Sequence, residues 1–127
     1  MWNLSVCFDK ASQEMGVNRK LLVAIAYVES GLRHDALNRN SNGTYDIGIM
    51  QVNSSNIPKL KRAGIIEKEE DLWDVCKNIR AGAYILKECI ANYGFNWKAV
   101  DCYNKGKNAK EISTYVWKVY RVLYTYK

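Results

Sequence analysis

The chain has 127 residues, enough for one domain with one core and too few for two. Its composition, 48% hydrophobic and 25% charged, is that of a soluble globular protein. Its longest apolar run, Leu21 to Val28, is far too short to cross a membrane. The net charge of +6 is either a set of solvated helix faces or an attraction to an anionic polymer, nucleic acid or cell wall. No arginine-rich run or helix-turn-helix spacing supports nucleic acid.

In chain order the pattern is helical nearly throughout. A first helix is predicted over Leu4 to Met15, ending at Gly16. A second is capped by Asn18 and runs through Leu21, Leu22, Ile25 and Val28 to a stop at Gly31. The polar stretch Asn38 to Tyr45, with Asn42-Gly43 as its turn, reads as a small β-hairpin. Ser54 or Ser55 caps a short helix to Ala63, with Pro58 in its first turn and Gly64 behind it. Ile79, Ala83, Leu86 and Ile90 recur at helical spacing in a long helix from Asp74 to Tyr93, terminated by Gly94. Trp97 to Tyr103 makes a brief helix before the Asn104-Lys105-Gly106 break. A last amphipathic helix covers Lys110 to Tyr126, with Ile112, Tyr115, Val116, Val119, Val122 and Leu123 on or near one face. The expected class is mainly α, with about six helices and one hairpin in a single compact domain.

Four cysteines are present, Cys7, Cys76, Cys89 and Cys102. They lack the short Cys-x-x-Cys spacing of a zinc site, and the only histidine is His34. Two disulfides in an oxidising compartment is the better reading than free buried thiols. Three connectivities exist. Cys76 and Cys89 are separated by about 20 Å of helical rise and cannot pair with each other. Cys7–Cys76 with Cys89–Cys102 is favoured; the second bridge closes a short loop and contributes on the order of 3 kcal/mol. Met1-Trp2-Asn3 does not begin a signal peptide. The chain is then either cytosolic or a mature form whose leader lies outside this sequence, and the cysteines make secreted or periplasmic the expected compartment.

Cleaving a bond between sugars needs a carboxylic acid that keeps its proton near neutral pH, and often a second carboxylate. Glu29 follows Ile25 by four and Leu22 by seven, which puts it on the apolar stripe of its helix. A carboxyl in an apolar setting has a raised pKa, as a general acid requires. The competing reading is a surface pair with Arg33, worth a few tenths of a kcal/mol. Asp46 follows seventeen residues later, either as a second carboxylate or as a turn residue bonded to backbone. Gly48 marks a sharp bend or a close approach of the backbone. Gln51 and Asn53 alternate with Met50 and Val52, so their amides can line a groove while the apolar pair faces the core. Of the nine tyrosines, Tyr84, Tyr103 and Tyr115 are candidates either for packing or for a saccharide cleft.

Glu29-Ser30-Gly31-Leu32 with Ala36, Gly48-Ile49-Met50-Gln51-Val52-Asn53, Tyr103-Asn104-Lys105-Gly106 and Tyr115-Val116 resemble, in order, the signature of SLT-type lytic transglycosylases with a lysozyme-like domain. The likeness runs from Cys7 to Tyr120 and is greatest to the small enzymes that accompany type III secretion systems, with type IV secretion and pilus relatives next. It implies an α+β lysozyme-like fold over residues 1–127 and cleavage of the MurNAc-GlcNAc β-1,4 bond of peptidoglycan, leaving a 1,6-anhydro end. Glu29 would be the acid/base and Ser30 would hold Glu29 or the sugar. Gly48, Met50, Gln51, Tyr84, Tyr103 and Asn104 would belong to the saccharide cleft, and Tyr115 would bond close to Glu29. No metal or cofactor is implied; a monomer recruited by a secretion-system component is.

Two features depart from that pattern. Cys102 and Lys105 stand where small residues are usual. Asp46 sits at a place similar to the second carboxylate of animal c-type lysozymes, so it is taken as a second catalytic group. That keeps a hydrolytic muramidase in view. A wall-binding module without catalysis is the alternative of another class.

Overall fold

A computed structural model describes residues 3–125. The helices are α1 (Leu4–Met15), α2 (Arg19–Ser30), α3 (Ile57–Arg62), α4 (Val75–Tyr93), α5 (Trp97–Lys105) and α6 (Thr114–Thr125). Between α2 and α3 lie three short strands, β1 (Leu37–Arg39), β2 (Tyr45–Ile47) and β3 (Val52–Asn53). The class is therefore mainly helical with a small antiparallel sheet, ordered β1-β2-β3.

Local chemistry sets most of the boundaries. The side chains of Asn3, Asn18, Asp74 and Asn96 each accept a backbone N–H of the helix that follows, satisfying a donor that the helix cannot pair itself. α1 and α2 end on Gly16 and Gly31 in the left-handed conformation. In the hairpin, Asn42 accepts the N–H of Thr44 at 3.0 Å and sets the register Asn38↔Asp46.

Several boundaries differ from the sequence reading. β3 is only two residues long and pairs Asp46↔Asn53, too short a segment to leave a period in the sequence. Asn53 rather than Ser54 or Ser55 caps the turn that leads into α3, by accepting Ser55 N–H at 3.0 Å. α5 extends through Asn104 and Lys105. α6 begins at Thr114, not Lys110, because the Lys110 N–H is taken by Asp101 at 2.8 Å while Ser113 Oγ accepts Val116 N–H at 3.0 Å. Ile112 thus precedes the helix and is 89% exposed, not part of its apolar face. Tyr126 lies outside the described residues. The bridges are Cys7–Cys76, joining α1 to α4, and Cys89–Cys102, joining α4 to α5.

α4 is the central element, packed against α1 and α5, while α2 packs on α6. Its Asn78 is fully buried and reaches into the turn between β2 and β3. There its amide donates to Ile47 O (2.9 Å) and Leu72 O (2.8 Å), and its oxygen accepts Met50 N–H (2.9 Å). Gly48 must be glycine: its φ is +77°, and a Cβ would lie 2.4 Å from the Asn78 amide nitrogen. One turn along α4, Gly82 leaves the space that the Met50 side chain fills, since a Cβ there would come within 2.8 Å of it.

Three backbone groups lose their partners if Asn78 is removed, and each unpaired buried group costs about 1–3 kcal/mol. Asn78→Ala is therefore expected to destabilise the chain by at least about 3 kcal/mol. Guanidinium unfolding with the disulfides intact measures it, and a loss within the usual surface range of about 0.5 kcal/mol contradicts this account.

Candidate active site

Glu29 is the penultimate residue of α2 and faces a cleft of about 750 Å³ between the sheet and the α4–α5 pair. One wall carries Asp46, Gln51 and Asn53; the opposite wall carries Glu88 and Asn92 from α4; Tyr103, Asn104 and Lys105 of α5 close it beside Glu29. A narrower groove continues from Glu29 past Asn104, Lys105, Tyr115 and Lys118.

The position of Glu29 is fixed through its neighbour. Ser30 is buried, and its hydroxyl donates to Ile49 O at 2.7 Å, tying the end of α2 to the β2–β3 turn. Tyr103 donates its hydroxyl to Met50 O at 2.7 Å, tying α5 to the next residue of that turn. Gln51, in the left-handed conformation with φ +51°, donates its amide to Gly48 O at 2.9 Å and accepts from Asn38 at 2.6 Å. A residue held in so sparsely populated a conformation needs surroundings that enforce it, and these bonds do so.

Electrostatics then tune the carboxyl. Burial is the largest influence and pushes the Glu29 pKa up, because the anion loses water. Hydrogen bonding from Tyr115 pulls it down, the negative charge of Asp46 pushes it up, and Asn104 and Lys105 pull it down. The balance lies at about 7, against an ordinary 4.5. Burial also pushes the phenols of Tyr103 and Tyr115 well up, so both stay neutral donors. The buried Tyr115 hydroxyl lies beside Glu29 and favours its anion. Asp46 accepts from Asn53 at 2.8 Å and from Asn40 at 3.2 Å, one amide on each carboxylate oxygen. Among the described residues no three His, Cys, Asp or Glu side chains converge as metal ligands.

The cleft thus brings together Glu29, Asp46, Gln51, Tyr103 and Asn104, with Tyr115 at its extension. Three residues expected at the saccharide cleft lie elsewhere, and Ser30, expected to hold Glu29 or the sugar, bonds to the turn. The Met50 side chain is fully buried and packs over Gly82. Ser30 and Gly48 act on the turn beneath the cleft. Tyr84 packs against the hydrophobic core, since its place on α4 turns it from the cleft wall. Residues the sequence reading passed over include Asn40, which holds Asp46 from across the hairpin, and the Lys59–Glu88 ion pair (2.9 Å) on the far wall. The i, i+6 relation of Asn40 and Asp46 across an Asn-Gly turn was the available signal for the first; the second joins elements far apart in sequence and left none.

Comparison with known proteins gives a consistent result. The family described as the transglycosylase SLT domain matches residues 6–118. Similar curated proteins include invasion protein IagB of Salmonella typhi, 36% identical over 97% of this chain and 84% of that protein. Protein IpgF of Shigella flexneri is 38% identical over 91% of this chain and 77% of its own. A peptidoglycan-binding-like protein of Escherichia coli O157:H7 is 37% identical over 95% and 77%. The fold is similar to the crystal structure of an inactive mutant of lytic transglycosylase Slt from Pseudomonas aeruginosa, with a TM-score of 0.69 and 22% identity. That likeness covers 91% of this chain, which spans 20% of the larger Slt chain.

The raised pKa has a cost in stability with a definite sign. Below pH 4.5 Glu29 is protonated in both folded and unfolded chains, and its burial carries no ionic penalty. As pH rises from 4.5 through 7 the unfolded chain releases the proton more readily, and stability falls by up to about 3 kcal/mol. Glu29→Gln, which cannot ionise, is expected to be more stable than wild type at pH 8 by up to that amount. The difference should shrink towards pH 4.5. Parallel unfolding curves at the two pH values check it; an equal difference at both removes the buried-acid account.

Proposed function

The chain belongs to the transglycosylase SLT-domain family and is a lytic transglycosylase, and on that premise we propose how it works. Its substrate is the glycan strand of peptidoglycan, laid along the cleft with a MurNAc-GlcNAc β-1,4 bond at Glu29. Protonated Glu29 donates to the glycosidic oxygen as the bond to muramic C1 breaks. Positive charge develops on C1 and the ring oxygen. The Glu29 carboxylate then takes the proton of the C6 hydroxyl of the same muramic unit while that oxygen bonds to C1. A 1,6-anhydro end results, no water is consumed, and Glu29 regains its proton.

One observation carries this reading: a partly buried carboxyl at the cleft with a pKa of about 7. A group that holds its proton at neutral pH and releases it readily serves both as acid and as base. Asp46 lines the same cleft, and its charge is felt at Glu29. We assign it the support of the positive charge at C1. The exposed Asn104 amide suits the hydroxyl and acetamido groups of the sugars, while those of Gln51 and Asn53 hold the turn and Asp46. Tyr103 and Tyr115 hold the reacting region in place, the first through the turn and the second through Glu29.

The wider role follows from the same reading. An enzyme of this size, stapled by two disulfides, acts as a monomer at the wall after export to the periplasm. It opens the mesh locally for a secretion apparatus, to which a component of that apparatus recruits it. Two of its relatives, from Salmonella and Shigella, are the invasion protein IagB and protein IpgF. Asp46 favours one second reading: hydrolysis on the same fold, with water in place of the C6 hydroxyl.

Mass spectrometry of digested sacculi distinguishes the two. Anhydro-muropeptides are expected from wild type; reducing ends in their place would establish the hydrolytic reading. Glu29→Gln is expected to lower cleavage by about a thousandfold or more, in keeping with loss of general acid–base catalysis. Asp46→Asn is expected to slow it roughly ten- to a hundredfold at unchanged product. Cleavage at the wild-type rate in Asp46→Asn would withdraw its role.

A further inference from the structure

Asp101 is fully buried, yet it lies one helical turn from the rim of the cleft. Its carboxylate accepts from Lys105 Nζ at 2.7 Å, Ser113 Oγ at 2.6 Å and Lys110 N–H at 2.8 Å. A buried charge is tolerated only when paired and hydrogen-bonded in this way. The pairing is reciprocal. A lysine side chain has several rotatable bonds and ordinarily samples many positions. Here the ammonium of Lys105 is held at one end by Asp101 and lies over the Tyr115 ring, 5.5 Å from its centroid. It faces the main cleft and the adjoining groove, the place where Glu29, Asn104 and Tyr115 meet.

We propose that Asp101 and Lys105 form a positioning pair that fixes one positive charge at the edge of the Glu29 site and so favours the anion left when Glu29 gives up its proton. The pair presents its positive end to the cleft and its negative end to the protein interior. The other charged or titratable groups lining the cleft and groove are Asp46 from the sheet, Lys59 from α3, Glu88 and Tyr93 from α4, Tyr103 from α5, Lys107 just after it, and Tyr115 and Lys118 from α6. Arg33, just beyond α2, is turned to Ser30 O at 3.0 Å. Lys118 is exposed, where solvent and salt screen it. Burial, and after it Asp46, opposes ionisation of Glu29, and Tyr115, Asn104 and, least of the three, Lys105 act against them.

The inference rests on the acid/base reading of Glu29, and its test separates the two. The carboxyl of Glu29 is titrated by carbon-detected NMR in the full chain as wild type, Lys105→Met and Lys105→Arg, and cleavage of peptidoglycan is followed across the same pH range. In Lys105→Met the Glu29 titration is expected to move up by at least about half a pH unit. The alkaline limb of the rate profile should move with it, and the low-pH plateau should fall roughly two- to fivefold, because a weaker acid donates less readily. Lys105→Arg, which keeps the charge, is expected to stay near wild type. In Asp101→Asn the further effect of Lys105→Met on the titration is expected to shrink, because the released ammonium no longer holds its place. An unmoved Glu29 titration in Lys105→Met overturns the proposal, as does Lys105→Arg behaving like Lys105→Met. Activity persisting in Glu29→Gln would instead bring down the acid/base reading while leaving the titration result to stand.

Discussion

The structure depends on one grip: the backbone of Ile47 to Gln51 is held from three helices at once. Asn78 of α4 bonds Ile47 O and Met50 N–H, Ser30 of α2 bonds Ile49 O, and Tyr103 of α5 bonds Met50 O. The segment is a tight turn whose own peptide groups have few partners within the sheet, since β3 offers only two residues. Buried peptide groups must be satisfied somewhere. The helices supply the missing partners with side chains, and in doing so they are themselves brought to fixed distances around the turn.

Catalytic geometry follows from that grip. Ser30 is adjacent to Glu29, so anchoring the one places the other at the cleft without any direct bond between Glu29 and the sheet. The same turn, with Gln51 in the left-handed conformation, delivers Gln51 to the cleft and buries Met50 in the space left by Gly82. Burial then acts on Glu29 more strongly than any single neighbour. Tyr115, Asn104 and Lys105 recover part of what burial takes from the anion. Their combined action brings the pKa to about 7, where burial unopposed would carry it higher still.

Much of this was legible in the sequence where the cause is local. Asn18 and Gly31 bracket α2, Asp74 and Gly94 bracket α4, and the apolar stripe through Leu22 and Ile25 carries Glu29 inward. What was illegible depends on contacts distant in sequence. α6 starts late because Asp101, nine residues before Lys110, takes its amide. Asn78 looks like one more polar residue on an amphipathic helix, and only the turn packed against it reveals its use. Resemblance to a family assigned Gly48 and Met50 to the cleft, but both lie in the turn beneath it, and Ser30, expected to hold Glu29 or the sugar, bonds to that turn. A motif records that residues are needed together and does not distinguish the one that meets the substrate from the one that holds the backbone beneath it.

α5 shows how far such holding extends. Four consecutive residues near its end are each fixed in a different direction. Cys102 is bonded to Cys89 of α4, and Tyr103 to the turn. Asn104 reaches Glu29, and Lys105 reaches back to Asp101. Successive side chains on a helix diverge by roughly 100°, so these attachments oppose one another and leave the helix little freedom to rotate or slide. The last turn of a helix is ordinarily where it frays. Placing the contacts to Glu29 there is workable only because covalent, hydrogen-bonded and ionic anchors converge on the same turn. The groups that meet a developing charge are then in position before it appears, which is the condition for electrostatic stabilisation to lower a barrier rather than be spent on reorganisation.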